Sequence, residues 1–277
     1  MPLIVSRRAM LAVGVAGMAM APKRSKAQTP PPSPGNDVAI KHYIMIDLLP
    51  GTDMNVLDRW YMRFHAPEVR RMSRAWQRNY LSYRAYSVPS DADVYPIWRG
   101  RLTEIHFDSL DDFRESRVNT MYGFDTMTPP PGGWGGAGWR TETATLPINP
   151  QQVFLAGRAP PKETPYLRWI VFARAPAGVE SAAFDRWLTE THVPELARLP
   201  DLRRFVGYRS VATDPDYPIV MELWFDDYPA WQQAMLTVAP TWTAPPWAVH
   251  PPFMDMVSTF IGENPDIDFI NDRRVIP

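Results

Sequence analysis

Asp58-Arg59-Trp60, four residues, then His65-x-Pro67-Glu68 recurs as Asp185-Arg186-Trp187, four residues, then His192-x-Pro194-Glu195. Every matched position is separated by 127 residues. A local pattern copied at a fixed offset means two related units, and each must bury its core against a like neighbour. Two of the chain's five histidines therefore occupy equivalent places.

The correspondence runs beyond the motif. Tyr83-Arg84 answers Tyr208-Arg209, Tyr95-Pro96-Ile97 answers Tyr217-Pro218-Ile219, and Glu104-x-x-Phe107-Asp108 answers Glu222-x-x-Phe225-Asp226. The offset drifts along the half, as happens when loops change length and elements do not. Each copy begins with an apolar run closed by proline, Tyr43 to Leu49 before Pro50 and Trp169 to Ala175 before Pro176.

Within a copy, the pattern predicts a strand, a helix over Asn55 to about Trp76, strands over Asn79 to Val88 and Arg99 to Phe107, a helix over Leu110 to Arg117 and a last strand over Gln151 to Arg158. The second copy predicts Tyr166 to Arg174, Ala182 to Leu199, Leu202 to Val211, Ile219 to Phe225, Tyr228 to Leu236 and Asp255 to Gly262. The order β-α-β-β-α-β, twice, is that of the ferredoxin-like unit with an antiparallel sheet. Two such sheets hide their second apolar faces by packing together or closing into a barrel. The expected fold class is α+β: tandem duplicated ferredoxin-like units forming an intrachain pseudo-dimeric α+β barrel. Residues 41–160 form the first unit, with an insert at 119–150, and 161–277 the second.

The segments Trp-Tyr-Met-Arg-Phe-His-Ala-Pro-Glu-Val and Trp-Leu-Thr-Glu-Thr-His-Val-Pro-Glu-Leu resemble the helix of the EthD-like branch of the dimeric α+β-barrel superfamily. The resemblance implies a site in each half. Its possible chemistries are cofactor-free oxygenation, isomerisation, cyclisation, dehydration or decarboxylation, with haem used by some members. Fold alone does not choose among these.

Pro67 and Pro194 restrict the residue before them, so His65 and His192 are expected where their helices end or kink. An imidazole at the margin of an apolar stripe is a natural general acid/base. A half-buried histidine capping a helix end is the competing, structural reading. Tyr83 and Tyr208, on equivalent strands, can donate to a substrate oxygen or simply pack. Asp58 and Asp185 lie two turns from their histidines and read as helix-surface charges. Glu104 and Glu222 stand inside apolar strands, and pairing with Arg84 and Arg209 is expected. The first helix is the more basic copy, so Arg63 and Arg70 are candidates for orienting a carboxylate.

Asn119 to Pro150 has no counterpart in the second half and carries Pro129-Pro130-Pro131, Trp134 and Trp139 among glycines. Such a long loop suits a lid, or a packed plug, over an aromatic ligand. Trp60, Trp187, Trp134 and Trp139 are the candidate aromatic contacts. No metal-ligand spacing, phosphate loop or serine-nucleophile turn occurs, and the chain holds no cysteine for thiol chemistry.

Residues 1–27 place Arg7-Arg8 before a short apolar stretch and hold five basic groups with no acidic one. They resemble a twin-arginine signal, implying a periplasmic protein, with residues 28–40 a proline-rich linker. Setting those five bases aside takes the net charge from −1 to −6, which argues against nucleic-acid binding. No segment is apolar and long enough to span a bilayer. The leading expectation is a cofactor-independent lyase, a decarboxylase or dehydratase, acting on a small aromatic or phenolic substrate. The alternatives are a monooxygenase or isomerase of the same superfamily, and a haem-binding protein or non-catalytic binder of aromatic compounds. A homodimer is compatible with the sequence.

Overall fold

The computed structural model describes residues 40–48, 53–123, 126–133, 137–147, 164–199, 201–212 and 215–271. The targeting segment, nearly all of the linker, Trp134 and the strand expected at 151–158 lie outside them.

The first half runs β1 (Ile40–Leu48), α1 (Met54–Trp60), a π turn (Tyr61–His65), α2 (Ala66–Ser73), β2 (Asn79–Arg84), β3 (Arg101–Phe107), α3 (Leu110–Gly123) and β4 (Ala137–Pro147). The second runs β5 (Leu167–Arg174), α4 (Ser181–Trp187), a π turn (Leu188–His192), α5 (Val193–Leu196), β6 (Leu202–Ser210), β7 (Ile219–Phe225), α6 (Tyr228–Gln232) and β8 (Asp255–Gly262). A short β9 (Ile267–Asp268) follows and pairs with β2.

The sheet order is β8-β5-β7-β6-β4-β1-β3-β2-β9. Each half is thus antiparallel with its fourth strand beside its first, then its third and second. The halves join where β4 pairs with β6. At the other seam, the chain flanking the β2–β3 connection bonds β8. Tyr86 N–H donates to Phe260 O (2.8 Å), and Trp98 N–H donates to Ser258 O (2.7 Å). That seam closes the sheet into a pseudo-dimeric α+β barrel of two ferredoxin-like halves within one chain. Closure also removes the exposed sheet edges that would invite aggregation.

Strand alternation divides the buried side chains into three cores. Leu57, Trp60, Tyr61, Tyr80 and Phe107 pack the first half's helices onto its sheet. Phe184, Trp187, Trp169, Phe205 and Trp231 do so in the second. Tyr43, Met45, Tyr83, Leu102, Phe172, Tyr208 and Val220 fill the barrel interior, drawn from both halves.

One expectation is corrected. The first half's fourth strand is Ala137–Pro147, inside what reads as a loop insert. Thr141, Thr143 and Thr145 alternate as β-branched residues, a strand signal masked by the neighbouring glycines. Trp139 thus lies on a strand paired with Ile46 rather than in a lid. The end or kink expected at each motif histidine takes the form of a π turn, after which proline opens the next helix. Ala66 N–H bonds Tyr61 O and Val193 N–H bonds Leu188 O, five residues back. The widened turn accommodates a residue that lacks an N–H and crowds the carbonyl four residues before it.

Candidate active site

The π turn decides where each repeated histidine goes. Residues five apart on an α-helix point about 140° apart. Here Trp60 and His65 stack at 4.7 Å between ring centroids, and Trp187 and His192 also at 4.7 Å. Both histidines are buried, at 5% exposure each. Both lie on the helix side of their sheets, away from the barrel interior.

The rest of the motif is structural. Glu68 accepts from Thr128 N–H (2.9 Å) and the Thr128 hydroxyl (2.7 Å), tying the proline-rich loop to α2. Glu195 accepts from Thr243 N–H (2.9 Å) in the same manner. Asp58 pairs with Arg101 (2.9 Å) and Arg84 (3.6 Å), and Asp185 with Arg209 (3.1 Å). Arg84 and Arg209 therefore serve the aspartates and not the glutamates. Tyr83 and Tyr208 take the inward strand positions, so alternation turns the following arginines outward.

Inside the barrel, Glu104 and Glu222 meet two cations that the sequence reading did not single out. Arg168 donates to Glu104 (3.0 Å) and Glu222 (2.9 Å). Lys41 lies 2.8 Å from Glu222 and 3.6 Å from Glu104. The Tyr43 hydroxyl donates to Glu222, and Arg168 also reaches the Tyr83 hydroxyl (3.2 Å). His106 bridges Glu104 (2.5 Å) and the Asn79 amide (3.0 Å). Lys41 and Arg168 stand 127 residues apart, the offset of the motif itself, which was the available signal. Burial opposes ionisation of both glutamates. The Lys41 and Arg168 charges prevail, holding Glu222 down at about 2 and Glu104 well below the carboxylate range. This cluster is charge-balanced and hydrogen-bonded, as a buried ionic network must be.

The pocket lies elsewhere. On the helix side of the second sheet, Tyr95, Trp169, His192, Met235, Trp242 and Phe253 help line a small apolar recess with a cavity volume of about 20 Å³. That is room for about one water molecule and well below the volume of a small-ligand site. Every other lining residue is apolar. Trp242 stands edge-on to His192 at 5.3 Å. Burial pushes the His192 imidazole down to about 3, so it is neutral at pH 7. Its Nδ1 has no hydrogen-bond partner among the described residues. In the first half, Tyr61 and Tyr80 pack instead against Phe269, which the chain's end inserts from beyond β9.

His192 and the two candidate tyrosines are thus not brought together. His192 faces the helices; Tyr83 and Tyr208 face the barrel interior. Arg63 is exposed and Arg70 half-buried, and neither lines the pocket. Trp60 donates through Nε1 to Thr128 O (2.9 Å). Trp187 backs His192 from behind the pocket wall. Among the described residues no group of side chains is arranged to hold a metal, and no helix is long and apolar enough to cross a membrane.

Three of the buried histidines make stability acid-sensitive. Burial pushes His42 down to about 3, His65 to about 4 and His192 to about 3. Below pH 6.5 the unfolded chain binds protons that the folded chain refuses, so stability falls as pH falls, by up to about 1.4 kcal/mol per histidine per pH unit. The guanidinium unfolding midpoint is expected to drop between pH 7 and pH 5, before free carboxylates titrate. A flat midpoint over that interval would contradict the burial of these rings.

Fold and site together define a class: a one-chain α+β barrel with an apolar, histidine-bearing pocket in its second half. No protein-family model and no curated protein matches the chain. Among solved structures it is similar to a mutant chlorite dismutase from Candidatus Nitrospira defluvii (8% identity, TM-score 0.47, covering 82% of this chain and 92% of that one). It is also similar to an anthrone oxidase-like protein (15%, 0.48, 82% and 91%). An ethyl tert-butyl ether degradation (EthD) family protein from Bacillus halodurans matches a shorter stretch (28%, 0.24, 26% and 73%). At these TM-scores none of them carries an activity over to this chain.

Proposed function

We propose that this protein is a cofactor-independent enzyme that moves a proton on a planar, phenolic substrate held in the His192 pocket. The carrying observation is a neutral imidazole with an unpartnered ring nitrogen in an otherwise apolar recess walled by Trp169, Trp242 and Tyr95. The recess has a cavity volume of about 20 Å³, so an aromatic ring gains the apolar walls only by spreading them apart. Its hydroxyl meets the imidazole, and proton transfer leaves a phenolate beside an imidazolium. In a water-poor site that ion pair is worth far more than in solvent, which offsets the depressed basicity of the free enzyme.

The pocket lining holds no arginine or lysine. A carboxylate leaving group would be poorly met, so within the lyase reading dehydration fits better than decarboxylation. Haem, used by some members of the superfamily the chain resembles, fits poorly for the same reason: its two carboxylates would meet no basic side chain. Turnover of a panel of neutral hydroxylated naphthalenes and anthracenes, followed by absorbance and by quenching of tryptophan fluorescence, tests the reading. Absence of both binding and turnover across the panel would sink it.

Periplasmic export through the twin-arginine segment belongs to the same proposal. Changing Arg7 and Arg8 to lysine is expected to abolish accumulation in the periplasmic fraction. Unchanged export would remove this part.

A further inference from the structure

The segment after β8 leaves the second half and lies along β2 of the first. Ile267 and Asp268 pair with Ser82 and Leu81 as β9. On either side, Asp266 N–H donates to Ser82 O (2.9 Å) and Phe269 N–H to Tyr80 O (2.8 Å). Asp266 latches the segment, because its carboxylate accepts from Arg84 N–H (2.8 Å) and pairs with Arg101 (3.0 Å). The Asn271 amide donates to the Asn79 side chain (3.0 Å).

Burial in this segment is concentrated in one side chain. Phe269 is fully buried, Ile267, Asp268 and Ile270 are half-buried, and Asp266 and Asn271 are exposed. The Phe269 ring meets Tyr80 at 5.1 Å and Tyr61 at 5.9 Å. The tyrosine hydroxyls are engaged with each other (3.3 Å) and, from Tyr61, with Thr103 (2.5 Å), so Phe269 meets ring surface. Tyr61 in turn contacts His65, at 5.7 Å between centroids. One buried side chain and two strand pairings mark a segment that opens before the rest of a fold does. Among the described residues no element follows it, so it can lift without displacing another.

We propose that Asp266–Asn271 is a releasable strap, and that the place of the Phe269 ring beside Tyr61 and Tyr80 is a binding site for a single apolar aromatic ring. In the closed chain Phe269 is the occupant. The site is separate from the His192 recess and does not depend on it. Lifting the strap vacates the volume of one benzyl side chain, so the ligand is one ring, for which toluene is the probe. An apolar cavity of about 150 Å³ stays dry and takes up such a ring. A ligand that binds only the open form draws the population toward it.

Hydrogen exchange of the full wild-type chain tests this. The Asp266 and Phe269 amides are expected to exchange about tenfold or more faster than those of β3, because lifting the strap needs no global unfolding. Saturating toluene should speed exchange at both amides by about threefold or more and leave β3 no faster. Asp266→Asn, which weakens the latch, should speed both about 3- to 10-fold without toluene. Toluene is also expected to move the imidazole resonances of His65 and not those of His192. Strap amides that exchange no faster than β3 overturn the strap, and that result needs no variant to fold. Toluene that leaves exchange at Phe269 unchanged, or that moves His192 alone, overturns the site.

Discussion

Arg168→Ala is expected to destabilise the folded chain by about 3–5 kcal/mol, the usual result of removing one partner from a buried ion cluster. Arg168 is 5% exposed, and its guanidinium sits between Glu104 and Glu222. Without it two carboxylates from opposite halves of the barrel share only Lys41. One of them must then ionise unpaired or take up a proton. Pairing the change with Glu104→Gln should recover part of the loss, because the two side chains are coupled. The same cluster governs acid unfolding. Glu222 is held at about 2 and Glu104 is also depressed. Their contribution is therefore fully present above the unfolded-chain value near 4.3 and is lost as pH falls through the folded value. In Arg168→Ala that acid limb should flatten. Denaturant unfolding at pH 7 and pH 3 measures both effects. A loss under 1 kcal/mol at pH 7 would show that the barrel interior is not held by this network.

His192→Ala is expected to lower kcat by about 10²–10⁴-fold on a substrate the wild type turns over, the range for a positioned acid/base. His65→Ala should leave kcat nearly unchanged while lowering stability, because its ring stacks on Trp60 in a core that Phe269 helps fill. The more basic first helix favours His65 on charge alone; the pocket favours His192. The imidazole is neutral in the free enzyme, so kcat/KM should show no limb near pH 6.5, where an ordinary histidine titrates. If both variants fold and both keep wild-type kcat, neither histidine moves the proton.

Much of the architecture is legible in the residues. The offset of 127 between the motifs and the β-like runs before Pro50 and Pro176 suffice for two equivalent halves. Ile219–Phe225 and Asp255–Gly262 are strands over the spans their alternation predicts. The site was less legible, for a physical reason. A helical wheel at 100° per residue puts His65 at the margin of an apolar stripe. A π turn, set by Pro67's missing N–H, rotates it onto Trp60. One local departure from ideal geometry changes which side chains meet.

The duplicated sequence by itself determines the element order, the pairing of halves and the two chemically equivalent histidines, because periodicity and repetition are local properties of the chain. Only the tertiary structure decides which residues share a volume. Strand alternation sends Tyr83 and Tyr208 inward to Arg168 and Lys41, and sends Arg84 and Arg209 outward to Asp58 and Asp185. Packing then makes unlike environments from like motifs. Phe269 helps fill one half's core, while the other keeps a recess beside His192. Contacts between residues more than 150 positions apart, such as Tyr61 with Phe269, draw that distinction, and no local pattern encodes them.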